Sequence, residues 1–525
     1  MKKIQFFGLA LALFTMVFSS CSPREESKSK KNTLRISLDT NPPSLDPRLG
    51  GIRKAQVVIG MLYEGLMRYD RDGNVIPGVA DHFVLSDDKK SATFKLRESH
   101  WSNGERVIAS DFTEGWRECL DPQFHCEHAY AFYYIKNAKA AKEGKISLDK
   151  VGLYAIDDET IKVEFEYPSP FFIELTANPI YSPIYRGDQK GERISNGPFK
   201  LKEWKAQEKI LVEKNPFFRE KDKVHLDGIS IAILPDANTS LLMWERGELD
   251  LVGGSMTSLP QEAIHAMRQH NTVETIPSGG ICWLTFNTEK VPFNNAKIRK
   301  ALGYAINRNE IVNNLLHGNE VPALSILPKC LLLQQSPYFQ DYNLTEAKKL
   351  FAEGLKELGF SKQELPPIEL NYCITSMGEN MIAQAIQQQW REAFGIKIEL
   401  LGTERSIYLT KGISGDYQIR TATWYSWMND PNYNLEFLKT KDNRINVTKW
   451  ENSNYKRLVD LAEREVDAKL RLDYYRKAEQ LLLDEMPIAP IYYDTYKFTK
   501  RDGISGLIIS KLGQLDFREV EKQTL

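Results

Sequence analysis

The hydrophobic pattern of the chain changes period several times, and the changes predict strands alternating with helices. The segment PPIELNYCIT is extended, ENMIAQAIQQQWREAFG follows it at helical spacing, and IKIELL is extended again. The helical stripe consists of Ile382, Ile386, Trp390 and Phe394, and Gly395 is placed to end the helix. A helix that joins two such strands predicts a right-handed crossover within a parallel sheet. The pattern therefore indicates an α/β fold.

Other segments predict hairpins and further helices. TLRISLDT alternates as a strand, AQVVIGMLYEGLMRY has apolar residues at helical spacing, and HFVLSDDKKSATFKLR has two extended arms around a polar turn. Asp72 and Gly73 predict a turn between two short extended pieces. Asp111 is predicted to cap a helix, with Glu114 three residues later, and residues 455–486 are predicted to be strongly helical. The hairpins add antiparallel strands to the predicted α/β fold.

The N-terminus predicts export and a lipid anchor. A basic MKK precedes the mainly apolar run IQFFGLALALFTMVF, which is shorter than the roughly 20 residues that span a membrane. Ser19, Ser20 and Cys21 then resemble a bacterial lipoprotein cleavage site. Residues 1–20 are predicted to be a signal peptide, Cys21 the lipidated residue, and residues 21–33 a polar tether. The alternative is an ordinary cleavage site with an incidental cysteine.

Composition narrows the class of protein. A chain of 525 residues, 42% of them hydrophobic, exceeds the size of a single core, so two or three lobes are expected. Its 69 basic and 70 acidic residues nearly cancel, which argues against nucleic acid as a partner. The motifs G-x-S-x-G, G-x-x-x-x-G-K-[ST] and H-E-x-x-H are absent. We therefore expect neither an enzyme activity nor a cofactor.

One short segment contains a loose cluster of thiols and imidazoles. Cys119 and Cys126 lie close in sequence to His125 and His128. Their spacing matches no standard zinc arrangement. Unbridged loop residues or a local disulfide are therefore favoured over a metal site.

The stretch TATWYSWMNDPNYN is too polar for a core strand and too aromatic for an ordinary surface loop. It holds four large aromatic residues beside the polar sequence NDP, namely Trp424, Tyr425, Trp427 and Tyr433. Aromatic faces next to polar groups are typical of the wall of a binding site. The stretch is therefore a candidate ligand-binding segment.

Several motifs spread along the chain resemble those of one family. PSLDP resembles the opening signature of that family, and LYEGLMRYDRDGNVIPGVADHFVLSDDKKSATFKLRESHWSNGERVIASDFTEGWRECLDP resembles its longest pattern. NGPFKLKEW, RGELDLV and VPFNNAKIRKALGYAINRNEIV resemble three later motifs. The family is the peptide/nickel family, family 5, of bacterial extracellular solute-binding proteins, which includes oligopeptide-binding lipoproteins of ABC importers. The resemblance extends over residues 34–520.

The resemblance implies a two-lobed periplasmic-binding-protein fold of type II, cluster C, with an extra insert domain and a hinged cleft. Lobe I is expected at residues 34–62, 194–281 and 498–525. The insert domain is expected at residues 63–193, and lobe II at residues 282–497. A ligand would be enclosed between the lobes as they close.

The same resemblance implies a function and partners. The expected ligand is a short peptide, held largely through its backbone, and the expected partners are a membrane permease and an ATPase. The protein would be a monomer in the periplasm or cell envelope, attached to a membrane by its lipid. It would not be an enzyme and would not bind nucleic acid.

In the family, the segment matching TATWYSWMNDPN lines the cleft, and an Asp four residues before the Pro binds the free amine of the peptide. Trp427 occupies that position here, and an indole offers only one N–H donor and a cation–π face. Asn429 and Asp430 lie close enough in sequence to replace the missing acid if the loop is rearranged. The resemblance also implies that the cleft wall contains Trp424, Tyr425 and Ser426.

Other site positions follow from the same resemblance. Arg420 lies near the position of a carboxylate-binding Arg, and Glu379 matches a His that helps to hold a peptide C-terminus. Tyr130 matches an aromatic residue that faces the ligand from the insert domain, and Asn41 borders the cleft. The backbone-pairing segment of lobe I corresponds to Gly51, Ile52 and Arg53.

Two alternatives remain open at this point. The same fold could bind a non-standard ligand, such as a modified or cell-wall peptide, a sugar or a metal chelate, which would agree with the Trp at position 427. The protein could also be a surface adhesin or sensor that transports nothing.

Overall fold

The structure is a computed structural model that describes residues 32–50, 53–187, 193–316, 320–376 and 378–523. The predicted signal peptide, Cys21, most of the tether, Gly51 and Ile52 lie outside the described residues. Among the described helices, none is long and apolar enough to cross a membrane.

The strands are numbered in chain order. They are β1 Thr33–Leu38, β2 Met67–Tyr69, β3 Val75–Pro77, β4 Ala80–Leu85, β5 Ser91–Leu96, β6 Leu153–Asp157, β7 Thr160–Glu164, β8 Phe199–Lys205, β9 Lys209–Lys214, β10 Gly228–Ile233, β11 Leu251–Gly253, β12 Glu274–Phe286, β13 Val321–Pro322, β14 Ile368–Cys373, β15 Ile398–Thr403, β16 Ile419–Tyr425, β17 Ile488–Lys500, β18 Ile504–Ser505, β19 Ile508–Ile509, β20 Leu515–Asp516 and β21 Glu521–Lys522.

The α-helices are numbered in the same way. They are α1 Arg53–Leu62, α2 Ala109–Cys119, α3 Ala138–Lys142, α4 Phe172–Leu175, α5 Ala237–Glu245, α6 Gln261–Gln269, α7 Ala296–Tyr304, α8 Arg308–Glu310, α9 Leu344–Leu358, α10 Glu379–Phe394, α11 Arg405–Ser414, α12 Asn432–Leu435, α13 Ser453–Arg464 and α14 Ala468–Glu485.

Three larger sheets organise the molecule. One has the strand order β1-β10-β9-β8, and another has the order β4-β5-β7-β6. The largest has the order β11-β17-β12-β16-β14-β15, with β13 also paired to β17. In it β14 is parallel to β15 and to β16, whereas β12 is antiparallel to β16 and β17.

The long strands β12 and β17 pass from one hydrophobic core to the other. Ile281 and Tyr493 are buried in the core around β14 and β16, whereas Phe498 is buried in the core around β1 and β10. Between the two cores the pairing slips, because Pro277 pairs with Thr495 and Ile281 pairs with Tyr493. The extra residues of β12 form a bulge, which we call the β12 bulge, at residues 278–280. Bulges of this kind bend a strand and redirect side chains.

The structure confirms the predicted crossover and the predicted hairpins. Strands β14 and β15 are parallel and are joined by α10, whose C-cap Gly395 has a φ of 64°. That left-handed conformation favours glycine. The β4–β5 hairpin and the β2–β3 turn also form where the pattern placed them.

Two local predictions were wrong, and a third is confirmed with an interruption. Asp111 does not cap α2: the N-cap is Ile108, and the Asp111 carboxylate reaches back to accept from the Ile108 N–H at 2.9 Å. Helix α1 ends at Leu62, because the following apolar residues enter the core as β2, paired with β3. The predicted helical stretch at residues 455–486 is helical and forms two helices, because the Asp467 side chain accepts from the Leu470 N–H at 2.8 Å and caps the second one.

Cys119 and Cys126 are free, buried thiols. They are hydrogen-bonded to one another, and this contact together with burial raises the pKa of Cys119. Within the described ranges, no group of three or more His, Cys, Asp or Glu residues is arranged to hold a metal ion. The structure thus shows the unbridged alternative for this pair.

Candidate functional site

The candidate segment leaves the lobe II sheet and crosses to the other core. Strand β16 ends at Tyr425, and residues 426–431, which we call the crossing loop, follow it. Trp424 packs against the core around β14 and β16, whereas Trp427 and Met428 pack against the core around β1 and β10. A single short stretch therefore contacts both sides of the cleft.

Trp424 lies in an aromatic stack. Its ring centroid is 6.2 Å from that of Trp283, at an interplanar angle of 17°, and 5.6 Å from that of Tyr433. Its indole N–H is buried and has no hydrogen-bond partner in the described part of the chain. A buried donor without a partner costs free energy, so Trp424 presents a donor that a ligand oxygen can satisfy.

Tyr425 faces the junction of the lobes. Its hydroxyl donates to Asp494 Oδ2 at 3.0 Å, and its ring is nearly parallel to Tyr496, with the centroids 6.3 Å apart. The Arg53 guanidinium lies 5.1 Å from the Tyr425 centroid. A Cβ on Gly280, in the β12 bulge, would approach the Tyr425 ring to 2.6 Å, so this ring needs glycine beside it.

Arg53 connects the lobes directly. It begins α1, donates to the Leu512 carbonyl at 2.9 Å, and donates to the Ser426 carbonyl at 3.3 Å. Arg53 also lines a cavity of about 90 Å³, whose wall includes Gln56 and Ser255. This cavity has room for a few water molecules.

Trp427 and Met428 pack against aromatic residues of the segment 128–134. The Trp427 ring centroid is 4.5 Å from that of His128 and 6.3 Å from that of Tyr130. Tyr134 donates to the Met428 sulfur at 3.9 Å. The lobes are therefore closed on one another, and a peptide of several residues requires them to separate first.

The next residues of the loop are polar and largely satisfied by the protein itself. Both oxygens of Asp430 accept from Arg471, at 2.8 and 2.9 Å, and the pair is buried. Asn429 is hydrogen-bonded to Glu174 of α4. Burial, reinforced by the charge of Asp430, raises the pKa of Glu174 to about 7. Asp430 thus already has a cationic partner in this arrangement.

The remaining predicted positions are held within their own lobes. Glu379 is buried and accepts from Thr421 Oγ1 at 2.7 Å and from the Cys373 N–H at 3.0 Å. The Arg420 guanidinium lies 3.7 Å from the Tyr408 centroid. Asn41 accepts from Trp204 Nε1 at 3.2 Å.

The structure therefore brings together one group of the predicted residues and not another. At the lobe junction lie Arg53, Tyr130, Trp424, Tyr425, Ser426, Trp427, Asn429 and Asp430. Packed inside a lobe are Asn41, Glu379 and Arg420. Sequence reasoning missed Asp494, Tyr496 and Glu174, although an acid within the aromatic strand YYDTYKF was a visible signal.

The fold and this junction define a class: a two-lobed solute-binding protein that encloses its ligand between lobes joined by β12 and β17. The model of bacterial extracellular solute-binding proteins, family 5, matches residues 74–446. The chain belongs to that family. These findings confirm the predicted family and the predicted two-lobed fold.

Individual relatives extend the likeness over nearly the full length. The chain is 37% identical to the oligopeptide-binding protein OppA of Bacillus subtilis, over 99% of both chains. It is 28% identical to the periplasmic murein peptide-binding protein MppA of Escherichia coli, over 93% of this chain and 92% of the relative. The structure of Haemophilus influenzae OppA in complex with RPPGFSPFR superimposes with a TM-score of 0.79 at 25% identity, covering 94% of this chain and 99% of that one.

Proposed function

We propose that this protein is the extracytoplasmic substrate-binding component of an ABC importer, and that it captures short peptides between its two lobes for delivery to a permease. The observation that carries the proposal is the 37% sequence identity to an oligopeptide-binding protein over 99% of both chains. It is combined with a lobe junction that presents backbone and aromatic groups. Binding of this kind needs no catalytic group, so the proposed role is not enzymatic.

The proposed mechanism is closure around a peptide backbone. The peptide would pair with the segment Gly51 to Arg53 on one side and with Trp424 to Ser426 on the other, as an added strand. Bridging waters would accept varied side chains, because a water-mediated hydrogen bond is nearly as favourable as a direct one. Tyr130 and Trp427 would then cover the ligand from the insert domain and from the crossing loop.

The proposed organisation follows the predicted boundaries. Lobe I comprises residues 34–62, 194–281 and 498–525, the insert domain residues 63–193, and lobe II residues 282–497. Cys21 would carry the lipid that holds the protein at the membrane of the cell envelope. A permease and an ATPase would complete the importer, and the binding protein itself would act as a monomer.

The test combines native ligands with defined peptides. Mass spectrometry of the purified protein should release a set of short peptides, and titration calorimetry with di- to hexapeptides should give dissociation constants near or below about 1 µM, or roughly −8 kcal/mol. A protein that carries no peptide and ignores the whole panel would contradict the proposal.

A second candidate ligand is a cell-wall peptide. Two observations favour it: a relative is named for murein peptide binding, and Trp427 replaces the expected amine-binding acid. Under this alternative a murein tripeptide should bind more tightly than any unmodified peptide of the same length. Trp427→Asp should then create or raise affinity for unmodified peptides, and no change would count against the match of Trp427 to the amine-binding position of the family.

A further inference from the structure

Asp494 lies at the point where β17 passes between the two cores. Its neighbours in sequence, Tyr493 and Thr495, pair with Ile281 and Pro277 across the register shift, so Asp494 itself faces the β12 bulge. The bulge leaves the ladder open at this position. The carboxylate is therefore placed at the base of the junction, next to the end of β16.

The carboxylate has neutral partners. Asp494 Oδ2 accepts from Ser278 Oγ at 2.9 Å and from the Tyr425 hydroxyl at 3.0 Å. Among the ion pairs of the described residues none includes Asp494, and the nearby Lys497 is paired with Glu320 instead. Burial raises the pKa of Asp494, whereas Lys497 and the two hydrogen bonds act to lower it. A partly buried carboxylate without a cation is unfavourable unless something binds to it.

The surroundings of Asp494 already accept a cation. The Arg53 guanidinium lies 5.1 Å from the centroid of Tyr425 and 5.9 Å from that of Tyr496. Its nitrogens donate to the Ser426 and Leu512 carbonyls. Arg53 occupies these tyrosine faces and carbonyls in the closed arrangement, which shows that the aromatic pair beside Asp494 stabilises a positive charge. The Asp494 carboxylate adds an acceptor that can form a charge-assisted hydrogen bond with an ammonium group.

We propose that Asp494, beside the faces of Tyr425 and Tyr496, receives the ammonium group of the bound peptide. The proposal rests on the proposed function, since it requires a peptide ligand with a free amine. It also accounts for Trp427, because the amine-binding charge is then supplied by β17 instead of the crossing loop.

The test compares one peptide in two forms. The tightest peptide of the calorimetric panel is titrated with a free and with an acetylated N-terminus into the wild-type protein and into Asp494→Asn. Acetylation should weaken wild-type binding roughly 10- to 100-fold, the range for a hydrogen bond to a charged group. In Asp494→Asn the free peptide should lose the same factor, and acetylation should change its affinity by less than about threefold.

Two controls separate this role from a structural one. Glu463→Gln neutralises another buried carboxylate, one that is paired with Lys439, and should leave the acetylation effect intact. Asp494→Asn keeps the shape and the hydrogen-bond acceptor, so its melting temperature without ligand should equal or exceed that of the wild type. If this variant folds poorly, Tyr425→Phe removes one hydrogen bond to the carboxylate and should reduce the acetylation effect several-fold.

The outcomes are distinct. Equal loss of the free and acetylated peptides in Asp494→Asn would overturn the proposal, because it would show a structural role only. Insensitivity of the wild-type protein to acetylation would overturn it while leaving peptide binding intact. Failure of the wild-type protein to bind any peptide would overturn the proposed function as well.

Discussion

The β12 bulge and the crossing loop both lie where the lobes meet, but the acid at each is neutralised differently. Asp430, in the loop, is bound by both terminal nitrogens of Arg471 and is buried with it. Asp494, opposite the bulge, is bound by two hydroxyl groups. The loop also makes the aromatic contact of Trp427 with His128, whereas the bulge contributes backbone groups and Gly280.

This difference assigns two different roles to the two acids: one stabilises the closed lobes, and the other recognises a charge on the ligand. An acid that already has an arginine at hydrogen-bond distance has little to gain from a ligand cation. An acid with only neutral donors can still gain a charge-assisted hydrogen bond. The crossing loop is thus suited to stabilising the closed form, and the bulge to reading the ligand.

The largest expected effect comes from breaking the loop's ion pair. Arg471→Ala leaves the Asp430 carboxylate buried without its partner, which should lower the free energy of unfolding by about 3–5 kcal/mol. Urea unfolding measures the loss. Arg476→Ala is the matched control on the same helix: its pair with Asp473 is exposed, so it should cost less than about 1 kcal/mol. Similar losses of unfolding free energy in the two variants would show that the buried pair contributes no more to stability than the exposed pair.

A smaller effect is expected from overpacking the bulge. Gly280→Ala places a methyl group 2.6 Å from the Tyr425 ring and 2.8 Å from Ser278 Oγ. Relieving that clash should cost about 1–3 kcal/mol and displace Tyr425 from Asp494, which should weaken peptide binding as well. Thermal unfolding and calorimetry measure both effects.

Gly60→Ala is the control for Gly280→Ala. Its added methyl group would meet nothing within 4 Å, and alanine is the better helix former, so stability should stay the same or rise. If Gly280→Ala behaves like this control, the close packing at the bulge has no role in binding.

Much of the fold followed from local patterns. The β14–α10–β15 unit was predictable because its hydrophobic period and its glycine C-cap lie within one short segment. The pairing of β12 with β17 was not, because its partners, such as Pro277 and Thr495, are more than 200 residues apart and nothing local encodes the register shift. Asp111 failed as an N-cap because it lies at N3, where its carboxylate accepts from the N–H of the N-cap residue Ile108, and the local sequence pattern does not distinguish the two positions.

The site residues also fall into two groups, those that could be predicted from the sequence and those that could not. The crossing loop could be identified from its aromatic and polar composition, and it lies at the lobe junction. Arg420 lies near the start of β16, the strand that leads into the crossing loop, and Glu379 begins α10. The directions of these two side chains depend on the pleat and on packing partners such as Thr421 and Tyr408. Asp494 was overlooked because its importance depends on its having hydroxyl partners and no cationic one among the described residues, which only the structure reveals.

A third prediction concerns the aromatic contacts that close the lobes. Trp427→Ala removes the contacts to His128 and Tyr130, and aromatic pairs contribute roughly 0.5–1.5 kcal/mol each beyond area burial. The closed form should lose about 1–2 kcal/mol relative to the open form, so the ligand-free protein should have a larger radius of gyration in small-angle scattering. Tyr154→Ala, at an exposed strand position, should leave the radius unchanged. An unchanged radius in Trp427→Ala would remove the loop's assigned role in closure.

The smallest expected effect is a pH dependence of closure through Glu174. In the closed form burial, with the charge of Asp430, raises its pKa to about 7, whereas separation of the lobes should return it toward the ordinary value. Closure therefore takes up a proton, so its stabilisation is complete at pH below the ordinary value and is lost as the pH rises through about 7.

The measurement is an interlobe distance by fluorescence energy transfer between pH 5.5 and 8.5. The closed fraction should fall with rising pH. The corresponding change in the free energy of closure should be less than about 1 kcal/mol, because Glu174 is only partly buried. Two groups interact electrostatically with Glu174, namely Cys330, whose pKa is raised to about 11, and Tyr69, whose pKa is raised by burial. Neither group titrates between pH 5.5 and 8.5. Glu174→Gln should flatten the profile, and Glu159→Gln, an exposed carboxylate, should not. A profile that keeps its slope in Glu174→Gln would assign the pH dependence to another group and leave the crossing loop without a titrating partner across the cleft.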